Sequence, residues 1–326
     1  MYILAVDDDP IILELLTHFV GEMPQHDIVT AESVAAARAL MADQDRPFDC
    51  FLLDIQMPDT DGIEFCQSLR DIPSYNRTPV LMLTAMSDKK YIDSAFNAGA
   101  TDYITKPFEL NSLKGRLALV EQIAADVQQK TSKIFAANTL RQKFDAAQPD
   151  VELHHPFPIL DVDGVIENIA MENYVTQLSR KSLCGSVVLG FTIRQVADLF
   201  YDLSSYDFSC MITDVSEAVS DCLLPTQRLV SYAGNGTFVC VVEGAAQIDL
   251  DRLVDQINLY IRSMELSQSD GTALNVRICA GRPSRLVWRK GDGAVEAIRQ
   301  THISSEETAE RLERELGSIW TTAQTA

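Results

Sequence analysis

The stretch CFLLDIQMPDTDG, residues 50–62, decides the fold of the first part of this chain. Four apolar residues run straight into Asp54; Met57-Pro58 and Asp61-Gly62 follow, and a helical pattern opens near Gly62 and runs to Arg70. FDCFLLD (48–54) is read as a strand, and its apolar run fits one covered on both faces, as in parallel sheets wrapped by helices. The same unit recurs on either side. YILAVD (2–7) is a strand, and Pro10 opens a helix to about Val20. DIVTA (27–31) is a strand followed by the helical ESVAAARALMA. TPVLMLT (78–84) is a strand, with a helix over Asp88–Ala98 ended by Gly99. DYIT (102–105) is a fifth strand, and a long helix starts after Pro107. Five βα units imply a parallel sheet with helices on both faces.

Ligands of such sheets bind at the carboxyl ends of the strands, and the chemistry-bearing residues fall there. Asp7 and Asp8 follow the first strand, Asp54 ends the third, Thr84 ends the fourth and Lys106 follows the fifth. Three carboxylates brought together repel one another unless a cation intervenes. A hard divalent ion such as Mg²⁺ takes one or two carboxylates together with waters and phosphate oxygens. Lys106 and Thr84 then suit a phosphoryl group as charge partner and hydroxyl donor. The set reads as a phosphoryl-transfer site with Asp54 as the nucleophile.

ILAVDDDP, CFLLDIQMPDTDG, PVLMLTAM and GATDYITKPF together resemble the receiver domain of two-component response regulators, over residues 1–125. The resemblance implies a flavodoxin-like (βα)5 fold. It implies that Asp7 and Asp8, with Asp54 and the backbone carbonyl of Gln56, hold Mg²⁺. Asp54 would accept phosphate from a histidine kinase or a phosphotransfer protein. Thr84 and Lys106 would sense that phosphate, and Tyr103 matches the family's aromatic switch.

The whole chain has 326 residues and a net charge of -20. Two domains are the natural expectation at roughly 100–200 residues each. The charge argues against a nucleic-acid partner, and no helix-turn-helix with a basic recognition helix follows residue 150. The acidic start MYILAVDDDP is unlike an export signal. No apolar run approaches the roughly 20 residues that span a bilayer. The seven cysteines are scattered without a CxxC pair, which fits reduced thiols in a cytoplasmic protein.

Leu113, Leu117, Val120, Ala124, Val127, Thr131 and Ile134 step by four and three along a segment without proline. Such a seam suits a coiled-coil stalk joining two copies, with Asn138 interrupting it and AAQPD (146–150) marking its exit. Residues 126–150 are therefore read as a helical stalk, its predecessor packing on the first domain's sheet, and 151–326 as the output domain.

In the output domain, FPILDVDGVIENIAMENYVTQLSRKS suggests a short hairpin or strand leading into a helix. SVVLGFTIR (186–194) is a strand and FSCMITDVSEAVSDCLL (208–224) an amphipathic helix. RLVSYAGNGTFVCVVEG (228–244) is a hairpin turning at Asn235-Gly236, the pair that type I′ turns favour. DLDRLVDQINLYIRSM (249–264) is a helix, ALNVRICAG (273–281) a strand and GAVEAIRQTHI a helix. Ser304 and Glu307 have capping-box spacing for a last helix. The order predicts an α+β domain, ferredoxin-like in class, with helices on one face of an antiparallel sheet.

Behind a receiver and a helical stalk, residues 155–302 resemble the nucleotidyl-cyclase-like GGDEF domain of diguanylate cyclases, in a degenerate form. Gly234 and Phe238 match the family's hairpin-tip motif, Asn235 replaces its second glycine, and Gly236 and Thr237 replace its two acids. Joining two nucleotides needs a metal held by carboxylates, and neither replacement supplies one. The family's acid on the first strand is absent from VVLGFTIRQV, and its product-binding RxxD is absent from LLPTQRLV. The expectation is a non-enzymatic output domain that binds a protein partner under control of Asp54, with Mg²⁺ the one cofactor. The alternatives are a sensor of GTP or cyclic-di-GMP and a residual cyclase. His154, His155 and Asp161–Asp163 are read as solvated residues rather than a metal site.

Overall fold

The computed structural model describes residues 1–44, 46–85, 89–141, 151–160, 162–244, 248–287 and 291–324, with side chains described for all of these except 126–141, 180, 181, 184 and 316–324. The chain divides into two compact units, Met1–Ala147 and Gln148–Ala326.

In the first unit β1 (Tyr2–Val6), α1 (Pro10–Gly21), β2 (Asp27–Ala31), α2 (Val34–Asp43), β3 (Cys50–Asp54), α3 (Gly62–Arg70), β4 (Val80–Thr84), α4 (Lys89–Asn97) and β5 (Asp102–Thr105) alternate, and α5 (Leu110–Arg141) closes the series. The strands lie in the order β2-β1-β3-β4-β5 and every pair is parallel. This is the flavodoxin-like arrangement, with its change of winding direction beside β1 and β3. β3 and β4 are buried along their whole length, which is why their sequences run apolar without alternation. Capping side chains set the helix starts: Asp9 accepts from the Ile11 amide, Ser33 from Ala36 and Asp61 from Glu64.

Leu113, Leu117 and Val120 are fully buried in this unit's core together with Leu16, Leu52 and Leu81. The first half of the four-three seam is thus the inner face of α5, as its place against the sheet requires. The side chains of Val127, Thr131, Ile134 and Asn138, and residues 146–150 altogether, lie outside the described residues.

The second unit contains α6 (Asn168–Gln177), α7 (Arg180–Gly185), β6 (Ser186–Ile193), α8 (Val196–Asp202), α9 (Ser205–Cys222), β7 (Arg228–Tyr232), β8 (Thr237–Glu243), α10 (Leu250–Ser263), β9 (Ile278–Ala280), β10 (Ser284–Arg285) and α11 (Asp292–Gln324). β6 pairs with β8 and β8 with β7, while β9 and β10 share the other edge of β6; every pair is antiparallel. This is an α+β domain.

Four expectations need correction. The segment before α6 forms no hairpin or named strand: it turns at Gly164 (φ 76°) and makes one isolated β-bridge to the sheet, Val165–Val230. The strand expected over 273–281 is formed only at Ile278–Ala280. No helix starts at Ser304, because α11 runs unbroken from Asp292; the Ser304 hydroxyl instead accepts from the Arg282 amide at 3.0 Å. Helices also cover both faces of the sheet, not one. Leu189, Phe191 and Ile193 pack with Phe208, Ile212 and Val215 of α9 and Ile257 of α10. On the opposite face α11 lies so close that a Cβ on Gly190 would come within 2.9 Å of the Thr301 carbonyl oxygen. The signal was present in β6, whose eight residues are all buried: a strand covered on one face alternates, and SVVLGFTI does not.

Candidate functional site

The loops after β1, β3, β4 and β5 bring Asp7, Asp8, Asp54, Thr84 and Lys106 to one edge of the first sheet. Asp7 follows β1 and is fully buried; Asp54, the last residue of β3, is 4% exposed. Two backbone features hold these carboxylates. The Asp7 Oδ1 accepts from the Asp9 amide at 3.0 Å, which ties it to the cap of α1. Gly62, the first residue of α3, lies against the Asp54 backbone, where a Cβ would fall 2.0 Å from the Asp54 carbonyl oxygen. Only glycine fits there, so the Asp61-Gly62 pair is a packing requirement of the site as well as a helix start.

The carboxylate oxygens of Asp7, Asp8 and Asp54 lie within 4.8 Å of one another, the one such acidic cluster among the described residues. Lys106 stands between two of them, with Nζ 2.6 Å from Asp7 Oδ2 and 2.7 Å from Asp54 Oδ1. Burial pushes the Asp54 carboxyl above the usual carboxylate range. Lys106 pulls it back, while Asp7 and Asp8 add to the rise. Burial opposes the charge on Lys106, but the two carboxylates outweigh it and raise its pKa. Three carboxylates against one ammonium leave two negative charges in a half-closed pocket. All the donors are oxygens, and the charge matches a divalent ion, so the residues present fit Mg²⁺.

Thr84 ends β4, is 1% exposed, and its carbonyl accepts from the Lys106 amide at 2.6 Å, which places the two residues beside each other. Gln56 lies exposed in the loop two residues past Asp54. Tyr103 is 6% exposed in β5 and meets Phe96 of α4 edge to face at 6.2 Å, so the ring is turned inward. Burial pushes its hydroxyl up to about 12, with the Asp102 charge adding to the rise.

A pair that sequence reading passed over sits beside Tyr103. Asp102, fully buried, accepts from Arg116 of α5 at 2.7 Å and from the Tyr103 amide at 2.8 Å. An acid at the start of an apolar strand signals it weakly; its partner lies fourteen residues on.

The family sequence model described as "Response regulator receiver domain" matches residues 3–118. Residues 3–118 are a response regulator receiver domain. The chain is 36% identical over 118 residues to the signal transduction histidine-protein kinase BarA of Escherichia coli, covering 36% of this chain and 12% of BarA. It is 38% identical over 115 residues to the response regulator protein PilR of Pseudomonas aeruginosa, covering 35% of this chain and 25% of PilR. The chain therefore spans a quarter or less of the length of these two curated relatives. Among solved structures, the chemotaxis protein CheY4 of Vibrio cholerae is similar at 30% identity and a TM-score of 0.34, over 36% of this chain and 97% of that one. The receiver thus carries an acidic pocket of the kind used in phosphorylation-based signalling, built from Asp7, Asp8 and Asp54.

The hairpin tip in the second unit is arranged differently. Asn235 (φ 53°) and Gly236 (φ 65°) are the central residues of a turn closed by the Thr237 amide on the Gly234 carbonyl at 2.9 Å, which is the type I′ pattern. Thr237 is fully buried and its hydroxyl lies 2.9 Å from that of Thr192 across the β6–β8 pair and 3.5 Å from the Asn235 carbonyl, so it is engaged within the hairpin and sheet. Phe238 is fully buried beside Tyr232, whose hydroxyl accepts from the Gly236 amide at 3.3 Å. Gly234 lies under the His154 carbonyl, where a Cβ would come within 2.6 Å.

Arg228, a basic residue near the hairpin in the sequence, is 9% exposed and bound to Ser220 Oγ (3.0 Å) and Asp163 (3.1 Å). It is a structural tie for the loop before α6. His154 and His155 bond Asn235 and Glu152 rather than each other, and Asp161 lies outside the described residues. No helix among the described residues is long and apolar enough to cross a membrane.

Proposed function

We propose that this chain is a response regulator in which Asp54 accepts a phosphoryl group and the second unit is a non-catalytic output domain. The observation that carries the reading is the Asp54 carboxylate at the end of β3, 2.7 Å from Lys106 Nζ and clustered with Asp7 and Asp8. A histidine kinase or a phosphotransfer protein supplies the phosphoryl group. An Asp54 oxygen attacks phosphorus, a P–O bond forms, the P–N bond to the donor imidazole breaks, and that nitrogen keeps the electron pair and takes a proton. Asp7, Asp8, Asp54 and the Gln56 carbonyl would hold Mg²⁺, which would supply positive charge to offset the carboxylates and the incoming phosphoryl group. Lys106 then exchanges its bond with the Asp54 carboxylate for one with a phosphoryl oxygen. Thr84 offers a hydroxyl to another, and Tyr103 keeps its inward position as part of the switched state.

The ferredoxin-like, GGDEF-related reading of the second unit is supported by its order of elements. β6, α9, β7, β8, α10 and β9 form a β-α-β-β-α-β series, with β8 inserted between β6 and β7 and β9 on the outer edge of β6. The absence of turnover is supported by the tip itself. Gly236 has no side-chain ligand, Thr237 is engaged with Thr192, and the segment at Leu153–His154 covers Gly234. On this reading phosphorylation alters association through the stalk, and the output domain engages a protein partner.

The direct test is mass spectrometry of the protein incubated with Mg²⁺ and a small-molecule phosphodonor. Wild type gains one phosphoryl group and Asp54→Asn gains none. Labelling of Asp54→Asn at the wild-type level overturns the assignment. For the output domain, GTP is supplied with Mg²⁺ and beryllium fluoride while light scattering reports mass. The expected result is a mimic-dependent change of mass without cyclic-di-GMP; product would restore the cyclase alternative.

A further inference from the structure

We infer that the hairpin tip is a latch that holds the lead-in segment of the second unit and ties it to α11, so that a pull on the connector reaches the body of the domain through Asn235. The geometry is specific. The Asn235 amide donates to the Leu153 carbonyl at 2.6 Å. Asn235 Oδ1 lies 2.8 Å from His154 Nδ1. On its other side, Asn235 Nδ2 donates to Glu306 Oε1 of α11 at 2.8 Å, and the same oxygen lies 3.2 Å from His302 Nε2. The side chain therefore joins the turn to one segment 81 residues before it and to another 71 residues after it.

The residue types fit that task. A type I′ turn needs positive φ at its first central position, and asparagine is among the few residues with a side chain that accept it. Glycine would make the same turn and keep only the backbone bond to Leu153, with no tie to His154 or Glu306. Gly234 lets the lead-in segment descend onto the turn, since a Cβ there would collide with the His154 carbonyl. Glu306 is held ionised: burial opposes its charge, but the bonds from His302 and Asn235 outweigh it and set its pKa below the ordinary value.

The lead-in segment is the first described stretch after the connector, so any displacement of the connector arrives there first. To move, the segment must break its bonds to Asn235 or carry the turn with it, and through the turn Glu306 and α11. The source of the displacement rests on the phosphoryl-transfer reading above; the latch itself does not.

The test uses the full chain, with hydrogen exchange followed by mass spectrometry on peptides covering 151–157, 232–238 and 300–308. Two variants weaken the latch without disturbing the turn: Asn235→Gly keeps the positive φ and the backbone bond to Leu153 but removes the side-chain bonds to His154 and Glu306, and His154→Ala removes the His154 bond and leaves the hairpin sequence untouched. Both are expected to speed exchange in 151–157 by about tenfold, the effect of losing one net hydrogen bond, while β6 and β8 stay protected. With Mg²⁺ and beryllium fluoride, wild type is expected to change exchange in all three peptides, and Asn235→Gly only in 151–157. Unchanged exchange in 151–157 in both variants overturns the latch. A mimic response at 300–308 that survives Asn235→Gly overturns the coupling. No response to the mimic even around Asp54 counts against the phosphoryl reading, and the variant comparison without mimic still decides the latch.

Discussion

Lys106→Met puts the charge balance of the receiver pocket to the test. Lys106 Nζ sits 2.6 Å from Asp7 and 2.7 Å from Asp54, and its side chain is 15% exposed. Methionine keeps much of the stem and removes the charge. Breaking a buried ion pair from one side costs roughly 3–5 kcal/mol, because the remaining charge is left uncompensated. Two features lower that figure here. The lysine retains some solvent, and Asp54, already raised by burial, escapes by taking up a proton. A cost of about 2–4 kcal/mol follows, which for a unit of this size is a fall of roughly 8–16 °C in melting temperature. Scanning calorimetry of the full chain at neutral pH, in chelator and in millimolar Mg²⁺, reads it out. The receiver transition is the one that moves with Mg²⁺. In chelator the variant's receiver transition falls by the amount given; with Mg²⁺ at least half of the loss returns, because no lysine competes for the carboxylate oxygens. The variant also gains stability on acidification, since a carboxyl with a raised folded pKa binds its proton more tightly folded than unfolded. A variant that melts with wild type in chelator, or a receiver transition indifferent to Mg²⁺ in both proteins, would refute the charge argument.

Three further outcomes are expected. Arg70→Met destabilises the receiver by about 2–3 kcal/mol, because its guanidinium donates to the carbonyls of Tyr75 (3.0 Å) and Thr78 (2.9 Å) in the α3–β4 loop and of Gly99 (2.7 Å) in the α4–β5 loop and so joins the two loops; calorimetry checks it. Gly190→Ala lowers only the second unit's transition, by about 1–3 kcal/mol, since its Cβ would meet the Thr301 carbonyl oxygen at 2.9 Å; equal movement of both transitions counts against the packing account. Glu306 has a folded pKa below its ordinary value, so its contribution is full above that ordinary value and is lost as pH falls through the lower folded one; acid unfolding followed by circular dichroism should show a shallower acid limb for Glu306→Gln.

The receiver was legible because its chemistry and its fold share one signal. In a parallel sheet each strand is an apolar run, and the residue after the run is at the ligand edge. Asp54, Thr84 and Lys106 could be placed there before any contact was known. Gly62 was legible as the start of a helix but not as the residue that makes room for the Asp54 carbonyl, because that approach comes from packing and leaves no period in the sequence. Asp102 and Arg116 escaped for the same reason. In the second unit the Asn235-Gly236 turn was plain, yet α11 was broken in two at Ser304. A serine followed three residues later by an acid is a capping box only where a helix must start. Here Thr301, Ser304 and Ser305 sit inside the helix, and their hydroxyls bond back to carbonyls or out to the Arg282 amide. Small hydroxyl residues at 301 and 305 are what let α11 lie on Gly190 and Gly281.

That packing bears on how the second unit can work. A hairpin that presents metal ligands at its tip needs an open tip and side chains aimed outward. This hairpin has neither: Thr237 bonds inward to Thr192, and the chain's own residues 153–154 lie over Gly234. Its polar groups are spent on the fold. The Asn235 amide, carbonyl oxygen and amino group of the side chain reach Leu153, His154 and Glu306, and Arg228 is spent on Asp163 and Ser220. A tip whose polar groups are bonded internally suits the proposed non-catalytic reading, and it fixes where the lead-in segment meets the sheet. On the proposed reading, in which Asp54 changes charge on phosphorylation, a fixed point of arrival is what a mechanical signal requires, and Asn235 is the residue whose replacement weakens that signal at the proposed latch.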